Sequence, residues 1–480
     1  MRRGKRDNRS RRGIRFAKAL LGILLAVLVF PAAASAADEE SRVEQLEREL
    51  DAIREELARL KAEMMAKKGG GERAEEESFA DRFTELERMV EVLAQEVERK
   101  EVGASLFRKA EKGEHGLGVA ASKVYQVNQG LSIGGYGEML FESFSAERDD
   151  GAPAGRTDRL DFLRAILYVG YKFNDRWLFN SEIEVEHANT GQGGEVGAEF
   201  AYIDYLHRPE VNFRAGLLLV PMGFVNELHE PPLFLGARRS NVENSIIPTT
   251  WRENGFGVFG DVGPFTYRSY LLNGLEGAGF SSGGLRGGRQ KGAQALAEDF
   301  AWVSRLDYTG TPGFLLGASA YFGDSGQGLT GTDGRPVDAG TTLFEAHLEW
   351  KKRGLEVRAL GVTAEVDDVA RLNGALGLAG NASVGEELQG FYAQVGYDLL
   401  ATRPTGQRAL IPYARWESFD TQHAVPAGFS KNPANDVDIL TLGLAYKPLD
   451  QVIFKVDFQD FDNGADTGID QFNVAIGYLF

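Results

Sequence analysis

Seven basic residues set the first chemical question. Arg164, Arg214, Arg268, Arg305, Arg358, Arg415 and Lys455 all fall in stretches of period-two alternation, on the phase opposite the apolar residues. A guanidinium is a rigid fork of N–H donors that matches the oxygens of a small oxyanion, so the chemistry offered is non-covalent anion binding. The same phase also carries Glu182, Glu184, Glu186, Asp307, Glu356, Glu417 and Asp457. Two arrangements are therefore open. The cations form a ladder that replaces an anion's lost water, or they pair with the acids across strands and cancel. Arg238, Arg239 and Arg252 lie in the longest connection, 221–253, which Pro231, Pro232 and Pro248 stiffen and which is the best candidate for a constriction. A Gly-rich stretch from Gly283 to Lys291 adds Arg286, Arg289 and Lys291, whose backbone N–H groups are also suited to anions. The plainer reading of both segments is solvated surface loop.

Covalent chemistry is poorly provided for. There is no Cys and only six His, with no HExxH spacing, so neither a thiolate nor a His-built metal centre is expected. Beside His187, His207, His229, His347 and His423 no Gly-x-Ser-x-Gly elbow is expected, and the chain does not read as an enzyme. Gly and Asp in 323–340 and 462–468 lack a calcium-loop spacing, and no cofactor is expected. A formal charge of −17 speaks against nonspecific nucleic-acid binding.

The elements that must position these residues are strands. From Gly130 onward the period is two, with candidates at 131–143, 159–173, 177–187, 196–207, 211–220, 254–262, 265–273 and 298–309. The series continues with 313–322, 341–351, 354–365, 387–400, 407–419, 436–446, 451–461 and 469–480. Seven connections are tight and rich in Gly, Pro, Asn or Asp: 174–176, 208–210, 263–264, 310–312, 352–353, 403–406 and 448–450. The other eight are longer, and tight and long alternate strictly. An all-β transmembrane antiparallel barrel of about 16 strands is predicted, with short turns on one side and long loops on the other. That strand number implies a water-filled lumen. Trp177, Phe179, Ile183 and Val185 are predicted to face outward, with Asn180, Glu182, Glu184 and Glu186 inward. No apolar run long enough for a spanning helix occurs beyond the N-terminus.

The N-terminus reads as an address. Nine basic residues in 1–18 precede an apolar run from Ala19 to Phe30 and a small-residue site at Ala34-Ser35-Ala36, so 1–36 is predicted to be a signal peptide. Its removal takes away nine basic residues and one acidic residue, which leaves a mature charge near −25. Residues 37–102 are predicted to form a periplasmic coiled coil in two helical runs. The first carries Val43, Leu50, Leu57 and Met64 at a and Leu46, Ile53 and Leu60 at d. The second places Phe83, Val90 and Val97 at a, and Phe79, Leu86 and Leu93 at d. Glycines 69–71 leave open whether the runs fold back as a hairpin or join other chains. Residues 103–129 read as a polar linker before the barrel domain, 130–480.

The last stretch, Ile469–Phe480, alternates Phe472, Val474, Ile476, Tyr478 and Phe480 with Gln471, Asn473, Ala475, Gly477 and Leu479. A wholly apolar face that ends on a terminal Phe resembles the outer-membrane barrel signature, in which Tyr478 and Phe480 would serve as the assembly signal read by the barrel-assembly machinery. This strand is predicted to close against 131–143, with Tyr136 and Glu138 opposite Gln471 and Asn473. Further segments narrow the resemblance. Asp161 to Phe173, followed by Asp175-Arg176-Trp177, is similar to an early hairpin of the phosphate-selective porin O and P family. Ala201-Tyr202-Ile203-Asp204-Tyr205, Arg214-Ala215-Gly216 and Val220-Pro221-Met222-Gly223-Phe224 resemble that family's next hairpin and the start of its third loop. The resemblance implies a sixteen-stranded homotrimer in outer-membrane lipid, a third loop folded inward, and passive passage of small anionic solutes such as phosphate. The mixed sign of the inward residues departs from a strongly basic lumen. A non-selective or cation-preferring pore, or a barrel that anchors an envelope-tethering stalk, are the alternatives.

Overall fold

The computed structural model describes residues 113–191, 193–401 and 408–480. The signal peptide (1–36), the coiled coil (37–102) and the first part of the expected linker lie outside the described residues. Sixteen strands close into one barrel in sequence order, β1 hydrogen-bonding to both β2 and β16. They are β1 (Gly130–Phe144), β2 (Arg159–Lys172), β3 (Trp177–Glu186), β4 (Val196–Arg208), β5 (Val211–Leu219), β6 (Arg252–Val262), β7 (Phe265–Asn273) and β8 (Phe300–Thr311). Then come β9 (Phe314–Gly323), β10 (Thr341–Lys352), β11 (Leu355–Val366), β12 (Glu387–Tyr397), β13 (Ala409–Ala424), β14 (Asp436–Leu449), β15 (Val452–Asn463) and β16 (Gln471–Leu479). Every neighbouring pair is antiparallel, as the tight connections require.

The alternation reading holds for the large apolar and acidic residues of β3. On β3, Trp177 and Ile183 are exposed while Asn180, Glu182 and Glu184 are buried. Large apolar side chains such as Leu160, Phe256, Leu306, Phe344 and Leu442 stand exposed on the outer wall. Only a hydrocarbon surround covers such a belt at no cost, so the barrel is a membrane-spanning one. Rings mark both edges of the belt. Near the short turns Trp177 packs on Tyr205 at 4.7 Å and Phe265 on Tyr308 at 5.6 Å. Toward the long loops Trp302 stacks on Phe322 at 5.7 Å, and Phe322 meets Phe344 at 5.3 Å.

The closing seam differs from expectation in register. Tyr136 lies opposite Leu479 and Glu138 opposite Gly477, whereas Gln471 and Asn473 meet Phe144 and Glu142. The offset follows from the backbone of Phe480, which exchanges hydrogen bonds with Gly135 at 2.9 and 3.0 Å and so pins the end of the chain. Gly137 makes room for this seam: a Cβ there would come within 2.4 Å of the Tyr478 hydroxyl.

The largest correction concerns the inside. The barrel is not a simple water-filled tube, because three stretches outside the strands pack within it. Residues 113–129, expected as a polar linker, carry a short helix α1 (Lys123–Gln126) and bury Leu117, Ala120, Ala121, Val124 and Tyr125. The β5–β6 connection (loop 3, residues 220–251) holds α2 (Asn241–Ser245) and buries Val220, Met222, Phe224, Val242, Ile246 and Trp251. The β7–β8 connection (loop 4, residues 274–299) adds Leu275, Phe280 and Leu285. A further helix, α3 (Val369–Leu376), lies in the β11–β12 connection. All of the buried residues named here belong to one apolar cluster with the inward rings of Phe200, Tyr202, Tyr270 and Tyr321.

Candidate functional site

All seven cations expected on the inner wall point inward, and most are neutralised there. Arg214 takes Asp204 bidentately, at 2.8 and 3.0 Å, between the rings of Tyr202 and Phe259. Arg268 and Arg305 are direct cross-strand neighbours on β7 and β8, a like-charge pair that needs acids between them. Asp307 supplies one at 2.8 Å to each, and Glu227 of loop 3 supplies another at 3.0 and 3.4 Å. His347 joins Asp307 at 2.9 Å and Glu345 at 2.7 Å, which extends the network to β10. Arg358 pairs with Glu349, and Arg415 with Glu417 at 2.8 Å. Arg164 is held more loosely, 3.5 Å from Glu138 and 3.8 Å from Glu184. Lys455 is the exception: its ammonium sits 3.5 Å from the centre of the Phe234 ring without a hydrogen-bond partner. Pairing rather than a free ladder thus describes the wall. Removing one member of such a buried pair costs about 3–5 kcal/mol, since the other charge is stranded.

These pairs also hold loop 3 inside. Glu227 reaches β7 and β8, while Arg305 donates to the Gly223 carbonyl and Arg358 to that of Leu233. Asp457 accepts from the Ala237 N–H at 2.7 Å, Glu417 from Ser240 at 2.6 Å, and Lys447 donates to the Pro232 carbonyl at 2.7 Å. Tyr392 donates to Glu243 at 2.7 Å. Loop 3 is therefore anchored to strands around most of the barrel.

The three arginines expected on that loop separate. Arg238 pairs with Glu142 on β1. Arg252 is the first residue of β6 rather than part of the loop, and meets Glu199 at 3.1 Å. Arg239 reaches the Thr250 hydroxyl at 3.2 Å and the His229 carbonyl at 3.4 Å, with its Nε left without a partner. Arg289 of loop 4 also donates to Thr250, at its carbonyl, and Arg286 has a buried Nη1 with no partner. Among the described residues, Arg239, Arg286 and Arg289 have no carboxylate in ion-pair contact. Burial and the guanidiniums of Arg289 and Arg239 push Arg286 down to about 9. A guanidinium keeps its proton under ordinary conditions, so the strain resides in unbalanced positive charge at the junction of loops 3 and 4. Lys291, by contrast, is paired with Glu195 at 3.0 Å.

At the short-turn end, residues 113–129 are tied to the inner wall by polar anchors. Glu230 of loop 3 accepts the N–H groups of Ala120 and Ala121 at 2.9 and 3.0 Å. The Tyr125 hydroxyl donates to Asp204 at 2.7 Å and accepts from Arg214 at 2.8 Å. Asn180 donates to the Ala121 carbonyl at 2.9 Å, and Lys172 to that of Val127 at 2.9 Å. Gly170 leaves the space Val124 occupies, since a Cβ there would lie 2.5 Å from that side chain. Sequence reasoning missed this segment, although Leu117, Ala120, Ala121 and Val124 carry a helical apolar spacing. It also missed Glu227 and Glu230, whose signal is an unusually apolar loop around them.

Gly279-Phe280-Ser281-Ser282-Gly283 spells a nucleophile-elbow pattern, but it lies in loop 4 away from any strand-to-helix turn. Its Ser281 hydroxyl is occupied by the Gly283 N–H at 3.3 Å.

Comparison with known proteins adds one relative. An uncharacterized protein of Aquifex aeolicus is 39% identical over 378 residues, which span 76% of this chain and 83% of that one. The chain belongs to the family of that protein. No family model matches this chain. Among solved structures, OmpF of Salmonella typhi in complex with daunomycin aligns with a TM-score of 0.49 at 12% identity, covering 74% of this chain and 98% of that one. The outer membrane channel DcaP of Acinetobacter baumannii gives 0.46 at 14% identity, covering 73% and 97%. An anion-selective porin from Comamonas acidovorans gives 0.44 at 11%, covering 73% and 99%. Likeness at this level carries nothing about solutes, which are argued below from this chain's own residues.

Proposed function

We propose that this chain is an outer-membrane porin, assembled as a homotrimer, that lets small hydrophilic anions of the phosphate class diffuse passively past loop 3. The observation that carries the reading is the contrast in pairing. The wall arginines are neutralised one by one, whereas Arg239, Arg286 and Arg289 stand together, partly exposed, without acids in contact. A cluster of guanidiniums at a constriction lowers the cost of dehydrating an oxyanion and repels cations. Residues 113–129 narrow the short-turn mouth, so conductance per channel should be small for a barrel of this strand number. On this reading the coiled coil of 37–102 lies in the periplasm. Phe480 and Tyr478 serve assembly by the barrel-assembly machinery and take no part in selectivity.

The test is reconstitution of purified protein into planar bilayers under a salt gradient. The reading expects discrete current steps and a reversal potential of the sign for anion preference, reduced by millimolar phosphate added as a blocker. A cation-preferring reversal potential would sink the anion assignment and leave a general porin. Absence of any steps would leave a barrel that anchors its stalk.

A further inference from the structure

On the lumen side of β3 and β4, a second cluster borders the guanidiniums, with Arg239 donating to the His229 carbonyl at 3.4 Å. Glu182, Glu199 and His229 each offer a ligand atom, and these atoms lie within 4.8 Å of one another. All three side chains are buried, at 0%, 3% and 2% exposure. The placement of Glu199 is a specific product of the backbone. Along β4 the pairing with β3 runs Phe200 opposite Glu182, then Ala198 opposite Ile183, so Glu199 is the extra residue of a bulge. A bulge re-aims a side chain that alternation would send outward, and here both Glu199 and Phe200 are buried.

His229 is oriented as metal-ligating histidines are. Its Nδ1 lies 3.1 Å from the Asn226 carbonyl, which fixes that nitrogen as the N–H donor. Its Nε2 then faces both carboxylate oxygens of Glu182, at 3.1 and 3.2 Å. A lone pair against a carboxylate is repulsive unless a proton or a metal cation lies between them. Two further oxygens nearby lack partners. The Glu230 Oε2 atom, one residue along the chain, is buried without a hydrogen bond, while its Oε1 holds residues 120 and 121. The Tyr136 hydroxyl is likewise buried and unpartnered, and its ring lies 6.1 Å from that of His229. Arg252, 3.1 Å from Glu199 Oε1, orients that carboxylate from the far side.

We propose that Glu182, Glu199 and His229 form a binding site for one divalent transition-metal ion per chain, with Glu230 and Tyr136 as the adjoining oxygen donors. One imidazole with two carboxylates suits zinc or a similar borderline ion, whereas calcium takes six to eight oxygens. The competing arrangement is a protonated His229 in an ion pair with Glu182.

The experiment uses the purified full-length protein in detergent, stripped with a chelator and titrated with zinc chloride by calorimetry, with metal content measured by mass spectrometry. One zinc per chain is expected, with affinity falling at least about tenfold in His229→Gln and in Glu182→Gln barrels that still show heat-modifiable mobility. Zinc-edge X-ray absorption on the wild-type protein is expected to report a nitrogen ligand at about 2.0 Å beside oxygens. No zinc in the wild type, equal binding by both variants, or a coordination shell without nitrogen would each overturn the site. The absorption measurement keeps the proposal falsifiable even if the variants fail to fold.

Discussion

The inner wall and the junction of loops 3 and 4 use the same residue type to opposite ends. Arg214, Arg268, Arg305, Arg358 and Arg415 sit on strands, where the register places a carboxylate beside each one. Arg239, Arg286 and Arg289 sit on loops, where no ladder of hydrogen bonds dictates what lies opposite. Regular sheet geometry makes ion pairs easy to build, since every inward position has fixed neighbours about 5 Å away. Irregular backbone is where charge can be left unbalanced, and unbalanced charge is what selects. The wall arginines are thus the struts of the barrel and the clamps of loop 3, and in the function proposed above the loop arginines are its field.

The comparison breaks most visibly if the loop cluster is neutralised. Replacing Arg239, Arg286 and Arg289 together with Gln should abolish anion preference, taking the reversal potential through zero or to the cation side, with the barrel intact by heat-modifiable mobility. An unchanged reversal potential would assign the field elsewhere. Stability should respond in the opposite place. Asp204→Asn strands Arg214 and frees Tyr125, and should destabilise the barrel by about 3–5 kcal/mol in urea unfolding from lipid vesicles. The loop substitutions should cost less than 1 kcal/mol or so, because no buried pair is broken.

Deleting residues 113–129 removes contacts but no selective charge, so single-channel conductance should rise several-fold while the sign of the reversal potential stays the same. A fall in conductance would contradict the view that this segment narrows the mouth. Arg358→Gln provides a finer test, since its charge is already cancelled by Glu349. Its effect on ion preference should be small, on the order of a few millivolts, against a clear loss of stability. Last, removal of Phe480 should slow assembly into membranes and leave the selectivity of assembled barrels untouched, because its side chain lies on the outer wall, half-exposed.

Much of the frame was legible in the chain. Sixteen strands, their facing, and the strict alternation of tight and long connections follow from period two and turn chemistry, both local properties. Phase also decides which side of a strand a residue occupies, and Arg214, Arg268, Arg305, Arg358, Arg415 and Lys455 are buried. Their partners were only half legible. Asp307 beside Arg305 or Glu417 beside Arg415 can be read from sequence spacing of two, but Glu227 between Arg268 and Arg305 cannot, since it arrives from a distant loop.

The interior was the least legible part. A loop rich in Val, Phe, Leu and Pro is apolar enough to be buried, yet nothing in its own residues says that it folds into the barrel that follows it. Residues 113–129 read as a linker because their apolar spacing spans only two turns of helix, too short to signal a core without its wall. The bulge at Glu199 breaks the alternation by one residue, which a pattern of period two treats as noise. The sequence by itself determined a closed antiparallel barrel and the side of the wall on which each charge stands, because both depend on backbone periodicity. Only the tertiary structure decided which charges are cancelled and which are left to act, because pairing depends on distances across a closed space that two loops and an N-terminal segment fill.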